Sequence, residues 1–133
     1  MNKQCIGLAL GLLFLSAANA SDLIVIGNTA APGLSKDQIS DIFLGKSASG
    51  LTPVDQPSSA AIRAEFYQKV AGKDLTQVKA IWSRLAFSGQ GQPPKELADD
   101  AAVKKMVASD PKAIGYIDKK NVDSSIKVIM SVD

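Results

Sequence analysis

Two serines and an arginine follow a short strand pattern in the middle of the chain, and their types suit the binding of an anion. Ser58 and Ser59 come directly after Pro57, and Arg63 follows about one helical turn later. Serine hydroxyls and a guanidinium fork donate hydrogen bonds, and the first N–H groups of a helix lack intrahelical acceptors. A helix that begins here would present an oxyanion site. Its predicted donors are Ser58, Ser59, Arg63 and the backbone at Ala60.

The elements around this stretch must place the serines at the start of a helix. Residues 52–55 predict a short extended piece. A serine just before a helical period is typical of an N-cap, so the helix is expected to begin at Ser58 or Ser59. It should run to about Val70, with Gly72 ending it.

The rest of the chain predicts three more helices and three more strands from capping patterns and apolar periodicity. Strands separated by helices predict an α/β fold with about a four-stranded mixed sheet flanked by helices. Ligands of open α/β sheets bind beyond the carboxyl ends of strands, which is where residues 54–59 are expected. The further helices are capped by Ser35, by Asp74 and by Asp99 or Asp100, and the further strands span residues 22–26, 113–117 and 126–132.

The first twenty residues have the pattern of a secretory signal peptide. Lys3 supplies the positive start, an apolar run extends from Cys5 to Ala18, and Ala18-Asn-Ala20 is a small-residue cleavage pattern. An N-terminal membrane anchor is the alternative, but the run is short for a membrane span. We expect cleavage after Ala20, which leaves residues 21–133 as one periplasmic domain without a membrane span.

The composition disfavours catalysis, metal binding and nucleic-acid binding. The chain has no His, and its one Cys lies in the predicted leader, so the usual nucleophile–base pairs and zinc sets are missing. No cofactor or catalytic residue is therefore expected. Asp99-Asp100 is an adjacent carboxylate pair, which we interpret as a helix cap and not as an acid–base pair. The formal net charge of +2 and scattered basic residues do not predict a nucleic-acid partner.

Two further features have alternative interpretations. Trp82 lies on the apolar stripe of a predicted helix, where core packing is favoured over a role as a ligand platform. Residues 87–94 are rich in Gly, Gln and Pro, which is typical both of a plain connector and of a loop that borders a site.

Five short segments occur in an order that is typical of one family. They resemble, in order and spacing, the second lobe of the periplasmic phosphate-binding proteins of ABC importers, a type II periplasmic-binding-protein-like family. The resemblance covers nearly all of the mature chain and implies a single lobe of that fold. It also implies binding of phosphate or a similar oxyanion, and an ABC importer as partner. The segments are Ile42-Phe-Leu-Gly-Lys46, Thr52-Pro-Val54, the turn with Arg63 and Phe66, Gly91-Gln-Pro-Pro-Lys95 and Pro111-Lys-Ala-Ile-Gly-Tyr-Ile117.

This chain departs from the family pattern in two ways. Full members close two lobes over the anion, so here a second copy or another protein would have to supply the missing lobe. The family's anion turn reads R-x-(D/E)-G-S-G-T-R-x-x-F. Arg63 and Phe66 match it, whereas Gln56 stands for the first arginine, Ala60 for the serine and Ile62 for the threonine. One lobe with fewer donors implies an open, weak site, because water competes for each bond.

The sequence therefore supports two functions. The first is an exported solute-binding module that binds phosphate or a similar oxyanion at a helix N-terminus. The alternative is a non-catalytic interaction or assembly module that keeps the lobe fold without tight ligand binding. The two differ in whether anions stabilise the protein against heat, and in whether Arg63→Ala removes that effect.

Overall fold

A computed structural model describes residues 22–46 and 49–132. Within these ranges, no helix has the length and apolar character needed to cross a membrane. The predicted leader over residues 1–20, with its expected cleavage site, lies outside the described residues.

The described chain alternates strands and helices, as the sequence predicts. A π-helical segment, Tyr67–Ala71, continues the helix that carries Arg63, and a short 3₁₀ turn, Lys119–Asn121, precedes the last strand. In order, the elements are β1 (Leu23–Gly27), α1 (Lys36–Phe43), β2 (Thr52–Asp55), α2 (Ala61–Phe66), α3 (Leu75–Phe87), β3 (Lys95–Glu96), α4 (Asp100–Ser109), β4 (Ala113–Asp118) and β5 (Lys127–Val132).

The strands form one mixed sheet in the order β3-β2-β4-β1-β5. β2 pairs in parallel with β3 and β4, whereas β1 is antiparallel to both β4 and β5. The predicted α/β fold with a mixed sheet is confirmed, and the four predicted strands are present. The fifth strand, β3, has only two residues, which is too short to give a sequence pattern.

Helices cover both faces of the sheet, because its central strands are apolar on both sides. Leu23 and Val25 point to the core under α1, the π-helical segment and α3, and Ile24 and Ile26 point to the core under α4. The first core contains an aromatic cluster at its centre. Phe66 stacks on Tyr116 with ring centroids 4.1 Å apart, and Phe43, Phe66 and Tyr67 meet edge to face.

Glycine at position 115 sets the distance between α4 and the sheet. A Cβ there would lie 2.6 Å from Val103 Cγ1 and 3.0 Å from Val54 Cγ2, which is closer than carbon atoms pack. The helix can therefore lie directly on β4 only because this residue has no side chain.

The capping predictions for α1, α3 and α4 are confirmed. Ser35 and Asp74 form capping boxes with Gln38 and Gln77, and the Asp99 carboxylate accepts from the N–H of Ala102. Each bond satisfies an N–H group that the helix leaves without an acceptor. These local rules located three helix starts correctly.

The predicted start of the helix that carries Arg63 is wrong. Ser58 and Ser59 lie in a turn, the helix begins at Ala61, and its N-cap is Ala60, which has no capping side chain. The turn closes through the N–H of Ala60, which donates to the Pro57 carbonyl at 2.9 Å. Ser58 and Ser59, which the sequence pattern placed at the helix cap, form this turn instead. The helix therefore starts two to three residues later than predicted.

Candidate functional site

The turn between β2 and α2 lies at the carboxyl end of β2, and two grooves flank it. We call the first the Ser58 groove. Its volume is about 540 Å³. Ser58 and Arg63 line it together with one face of α3, which includes Lys79, and with the segment before β3. The residues that matter for its chemistry are Ser58, Arg63, Lys79, Trp82, Pro94 and Glu96.

We call the second the Asp100 groove, and its volume is about 530 Å³. It lies between the start of α2 and the start of α4 and is lined by Ala60, Asp100 and Lys104 among others. The structure thus brings Ser58 and Arg63 together but places Ala60 in the other groove. Ser59 is exposed and lines neither of these two grooves.

A buried carboxylate lies under the turn. Asp55, the last residue of β2, is 1% exposed. Its carboxylate accepts hydrogen bonds from the hydroxyls of Tyr67, at 2.6 Å, and Tyr116. It also accepts from the backbone N–H of Gln56 at 2.9 Å. A buried charge of this kind is tolerated only when such donors surround it.

The two tyrosines act as fixed donors in this cluster. Burial raises the pKa of both Tyr67 and Tyr116 far above the usual value, and the charge of Asp55 and the hydrogen bond to it raise the pKa further. The phenol groups therefore stay protonated throughout the physiological range. They hold Asp55 in place, and through this shared acceptor they connect the π-helical segment, which carries Tyr67, to β4, which carries Tyr116.

Arg63 is engaged by groups of the protein itself. Its Nη1 donates to the Gln56 carbonyl and to Glu96 Oε2, both at 2.9 Å. Its Nε lies 3.8 Å from Asp55 Oδ1, which is an ion-pair distance and too long for a hydrogen bond. Burial alone lowers the pKa of this guanidinium, but the hydrogen bond to Glu96 and the charge of Asp55 outweigh burial and raise it. The group is a permanent cation with part of its fork already used.

The Asp99-Asp100 pair serves the structure of the Asp100 groove. Asp99 caps α4, as predicted. Asp100 accepts from Gln56 Nε2 at 2.8 Å, from the Asp118 N–H at 2.9 Å and from Asn121 Nδ2 at 2.8 Å. Both carboxylates are thus occupied by donors of the protein. Within residues 22–46 and 49–132, no cluster of three or more potential ligand residues could hold a metal ion.

Trp82 belongs to the core, as its position on the apolar stripe predicts. It is 8% exposed, and its indole Nε1 donates to the Phe43 carbonyl at 3.0 Å. One edge of the ring still contributes to the wall of the Ser58 groove, together with Pro93 and Pro94. The loop over residues 87–94 therefore borders a groove. The sequence alone did not distinguish such a loop from a plain connector.

Sequence reasoning missed three residues of this region: Asp55, Lys79 and Glu96. Asp55 ends a strand just before the serine turn, a position at which polar side chains gather, and this signal was available. Lys79 lies one turn before Ser83 on the helical face that meets the groove, which periodicity alone does not separate from a solvated lysine. Glu96 gave no signal, because its place depends on the two-residue pairing of β3 with β2.

The Ser58 groove combines hydrogen-bond donors with an apolar wall. Ser58, Lys79 and Arg63 all line it, so a hydroxyl, an ammonium group and a guanidinium belong to the wall of one groove. Such a set can recognise an oxyanion or a carboxylate.

Comparison with known proteins gives matches in structure but not in sequence. No family model matches the chain, and no curated protein matches it. Among solved structures, the chain is similar to an ABC-type phosphate transport receptor from Vibrio cholerae, with a TM-score of 0.64 and 18% sequence identity. It is also similar to a putative phosphate ABC transporter substrate-binding protein with bound phosphate from Clostridium perfringens, with a TM-score of 0.62 and 21% identity.

The matches show the fold of this chain. They cover 83% and 82% of it, but only 46% and 44% of the two receptors, so the chain spans less than half of their length. The predicted resemblance to phosphate-binding proteins is confirmed at the level of the fold. The chain has the α/β architecture of one part of these receptors.

Proposed function

We propose that this chain is a solute-binding module that takes phosphate or a similar oxyanion in the Ser58 groove. The observation that carries the proposal is the meeting of Ser58, Arg63 and Lys79 in one groove at the carboxyl end of β2. The likeness of the fold to two phosphate receptors supports the same ligand class. The proposal is limited to binding and includes no chemical reaction.

The groove chemistry sets the strength of this binding. Ser58 and Lys79 are exposed, so water competes with the anion for every bond. Arg63 contributes part of its fork, because Gln56 and Glu96 use Nη1. We expect a dissociation constant on the order of 1 mM, corresponding to roughly 4 kcal/mol of binding free energy. A receptor that encloses its anion would bind far more tightly.

The proposal extends to the place and partner of the module. The leader pattern over residues 1–20 supports export and a periplasmic location. The receptors that share the fold are described as parts of ABC transport systems, and this supports an ABC importer as the partner. Ser59 and Ala60, which the sequence added to the site, are not part of the proposed donor set, because neither lines the Ser58 groove.

Calorimetric titration with phosphate and with sulfate tests the proposal, with chloride used to match ionic strength. Ser58→Ala should weaken phosphate binding about tenfold, since one hydrogen bond to a charged group contributes about 1.5 kcal/mol or more. Ser59→Ala is the matched control, because Ser59 is an equally exposed serine of the same turn that does not line the groove. It should bind as the wild type does.

Thermal unfolding gives an independent readout. At about 50 mM phosphate and a dissociation constant of about 1 mM, the wild type should gain roughly 2 kcal/mol of stability. Lys79→Ala should reduce this gain, while Lys105→Ala on the exposed face of α4 should not. Absence of heat and of anion-linked stabilisation in the wild type would instead support the interaction or assembly module.

A further inference from the structure

Glu96 already occupies one hydrogen-bonding atom of Arg63 at the Ser58 groove. Arg63 Nη1 donates to Glu96 Oε2 at 2.9 Å, and both residues line the groove. A carboxylate of the protein therefore already makes the contact that an incoming oxyanion would make. Two negatively charged groups cannot share one guanidinium edge without repulsion, so the anion and Glu96 are alternatives.

The two carboxylates next to Arg63 differ in how firmly they are held. The side chain of Asp55 is 2% exposed, accepts hydrogen bonds from three donors and lies at ion-pair distance from Arg63. The side chain of Glu96 is 55% exposed. Within the described part of the chain, Arg63 is the one residue with which its carboxylate forms a hydrogen bond or ion pair. Only Glu96 can be released cheaply, because an exposed ion pair contributes little to stability.

The position of Glu96 favours such a release. It lies on β3, a two-residue strand at the edge of the sheet that pairs only with β2. A rotation of its exposed side chain into water would free Nη1 toward the groove without changing the backbone. Asp55 would keep Arg63 in place, since its carboxylate stays 3.8 Å from Nε.

We infer that Glu96 is an internal competitor for the oxyanion, and that its carboxylate sets the affinity of the Ser58 groove. This inference rests on the proposed function. The bound anion displaces Glu96 from Arg63, and the protein returns to the Arg63–Glu96 pair when the anion leaves. Removal of the charge at position 96 should therefore strengthen phosphate binding, about five- to tenfold, which corresponds to about 1–1.4 kcal/mol.

The test is a phosphate titration of the wild type, Glu96→Gln and Glu65→Gln at constant ionic strength. Glu65 is the matched control, because it also forms a partly exposed ion pair, with Lys69 at 3.3 Å, but does not line the groove. Both substitutions change the net charge equally. Glu96→Gln should bind five- to tenfold more tightly, and Glu65→Gln should stay within about twofold of the wild type.

The same substitution made in a second variant, Arg63→Lys, shows whether the gain in phosphate affinity depends on Arg63. Lysine at position 63 keeps a positive charge next to Asp55, so Arg63→Lys should fold. It lacks the guanidinium fork, so it has no second donor that the removal of the Glu96 charge could free for the anion. The gain from Glu96→Gln should disappear in Arg63→Lys. Circular dichroism checks that each variant is folded, and the comparison of Glu96→Gln with Glu65→Gln remains decisive if Arg63→Lys does not fold.

The outcomes separate this inference from the proposed function. If the wild type binds phosphate through Ser58 but Glu96→Gln binds no more tightly, the internal competitor is overturned and the proposed function stands. An equal gain in Glu65→Gln overturns it as well, since the effect would be one of net charge. Binding seen only in Glu96→Gln supports the competitor and contradicts binding by the wild type. No binding in either protein contradicts both.

Discussion

The Asp100 groove and the Ser58 groove flank the same turn, and they differ in what their polar side chains bond to. In the Asp100 groove, the central carboxylate accepts from three donors of the protein. In the Ser58 groove, Ser58 and Lys79 are exposed lining residues, and Arg63 is bonded to one exposed glutamate. Two cavities of nearly equal volume therefore have different capacities for a ligand.

Polarity alone does not identify a binding site. A polar group that already has its partners stabilises the fold, and a ligand gains little from it because an internal bond must first break. A donor that is open to water can exchange water for a ligand at small cost. Asp55 and Asp100 belong to the first kind, and Ser58 and Lys79 belong to the second.

The largest effect is expected at Asp55. Asp55→Ala removes the acceptor of two buried tyrosine hydroxyls and the partner of Arg63. We expect a loss of about 4 kcal/mol in the free energy of unfolding, measured by urea denaturation. Asp41→Asn, at an exposed position on α1, should change stability by less than about 0.5 kcal/mol. A loss below about 1 kcal/mol at Asp55 would contradict its structural role.

Alkaline pH should act on the same cluster. The pKa of both tyrosines is raised in the folded state. Their contribution to the free energy of unfolding is therefore complete below the usual tyrosine pKa of about 10 and is lost as the pH rises above that value. The unfolded chain loses these protons while the folded protein keeps them. Stability should therefore fall by about 1.4 kcal/mol per pH unit for each tyrosine.

The chain has only two tyrosines, so absorbance reports on both directly. Tyrosinate absorbance should appear together with the loss of the circular dichroism signal, and not before it. Tyr67→Phe should lower the slope of stability against pH by about 1.4 kcal/mol per unit. Ionisation of either tyrosine near its usual pKa in a folded protein would show that the cluster is open to solvent.

An intermediate effect is expected at Asp100. Asp100→Ala leaves Gln56 Nε2, the Asp118 N–H and Asn121 Nδ2 without this acceptor, at a cost of about 2 kcal/mol. Asp37→Ala is the control, since Asp37 is also an acid in the first turn of a helix but is exposed. It should lose about 0.5 kcal/mol or less through the helix dipole. Phosphate-linked stabilisation should survive in both variants.

The smallest effect on stability is expected at Ser58. In the absence of anions, Ser58→Ala should change the free energy of unfolding by less than about 0.5 kcal/mol, because the hydroxyl is exposed and the helix cap is Ala60. The same urea measurement in phosphate should then show the loss of anion-linked stabilisation. A large loss without anions would mean that Ser58 serves the fold, as Asp100 does.

The sequence predicted most of the fold because the relevant signals are local. Capping boxes at Ser35 and Asp74, and branched apolar runs such as residues 22–26, depend on neighbours within a few residues. The start of α2 was mispredicted for the same local reason. A serine before a helical period resembles a cap, and only the closure of the turn by Ala60 and Pro57 excludes it.

The candidate site was less predictable, because its contacts join distant segments. Ser58 and Arg63 were predicted from residue type and spacing, and both line one groove. Glu96 reaches Arg63 across 33 residues, and Tyr116 reaches Asp55 across 61. These distances depend on the parallel pairing of β2 with its neighbours, which no short pattern in this chain encodes.

The glycine at position 115 has a consequence for how this chain can change over evolutionary time. Even a methyl group there would collide with Val103 and Val54, so a substitution must be accompanied by changes on α4 and β2. The serine turn has no comparable constraint, since its side chains are exposed. Mutational drift is therefore restricted at the contact between helix and sheet and free at the turn. The side chains of the turn can therefore change over time while the spacing between helix and sheet that supports it stays fixed.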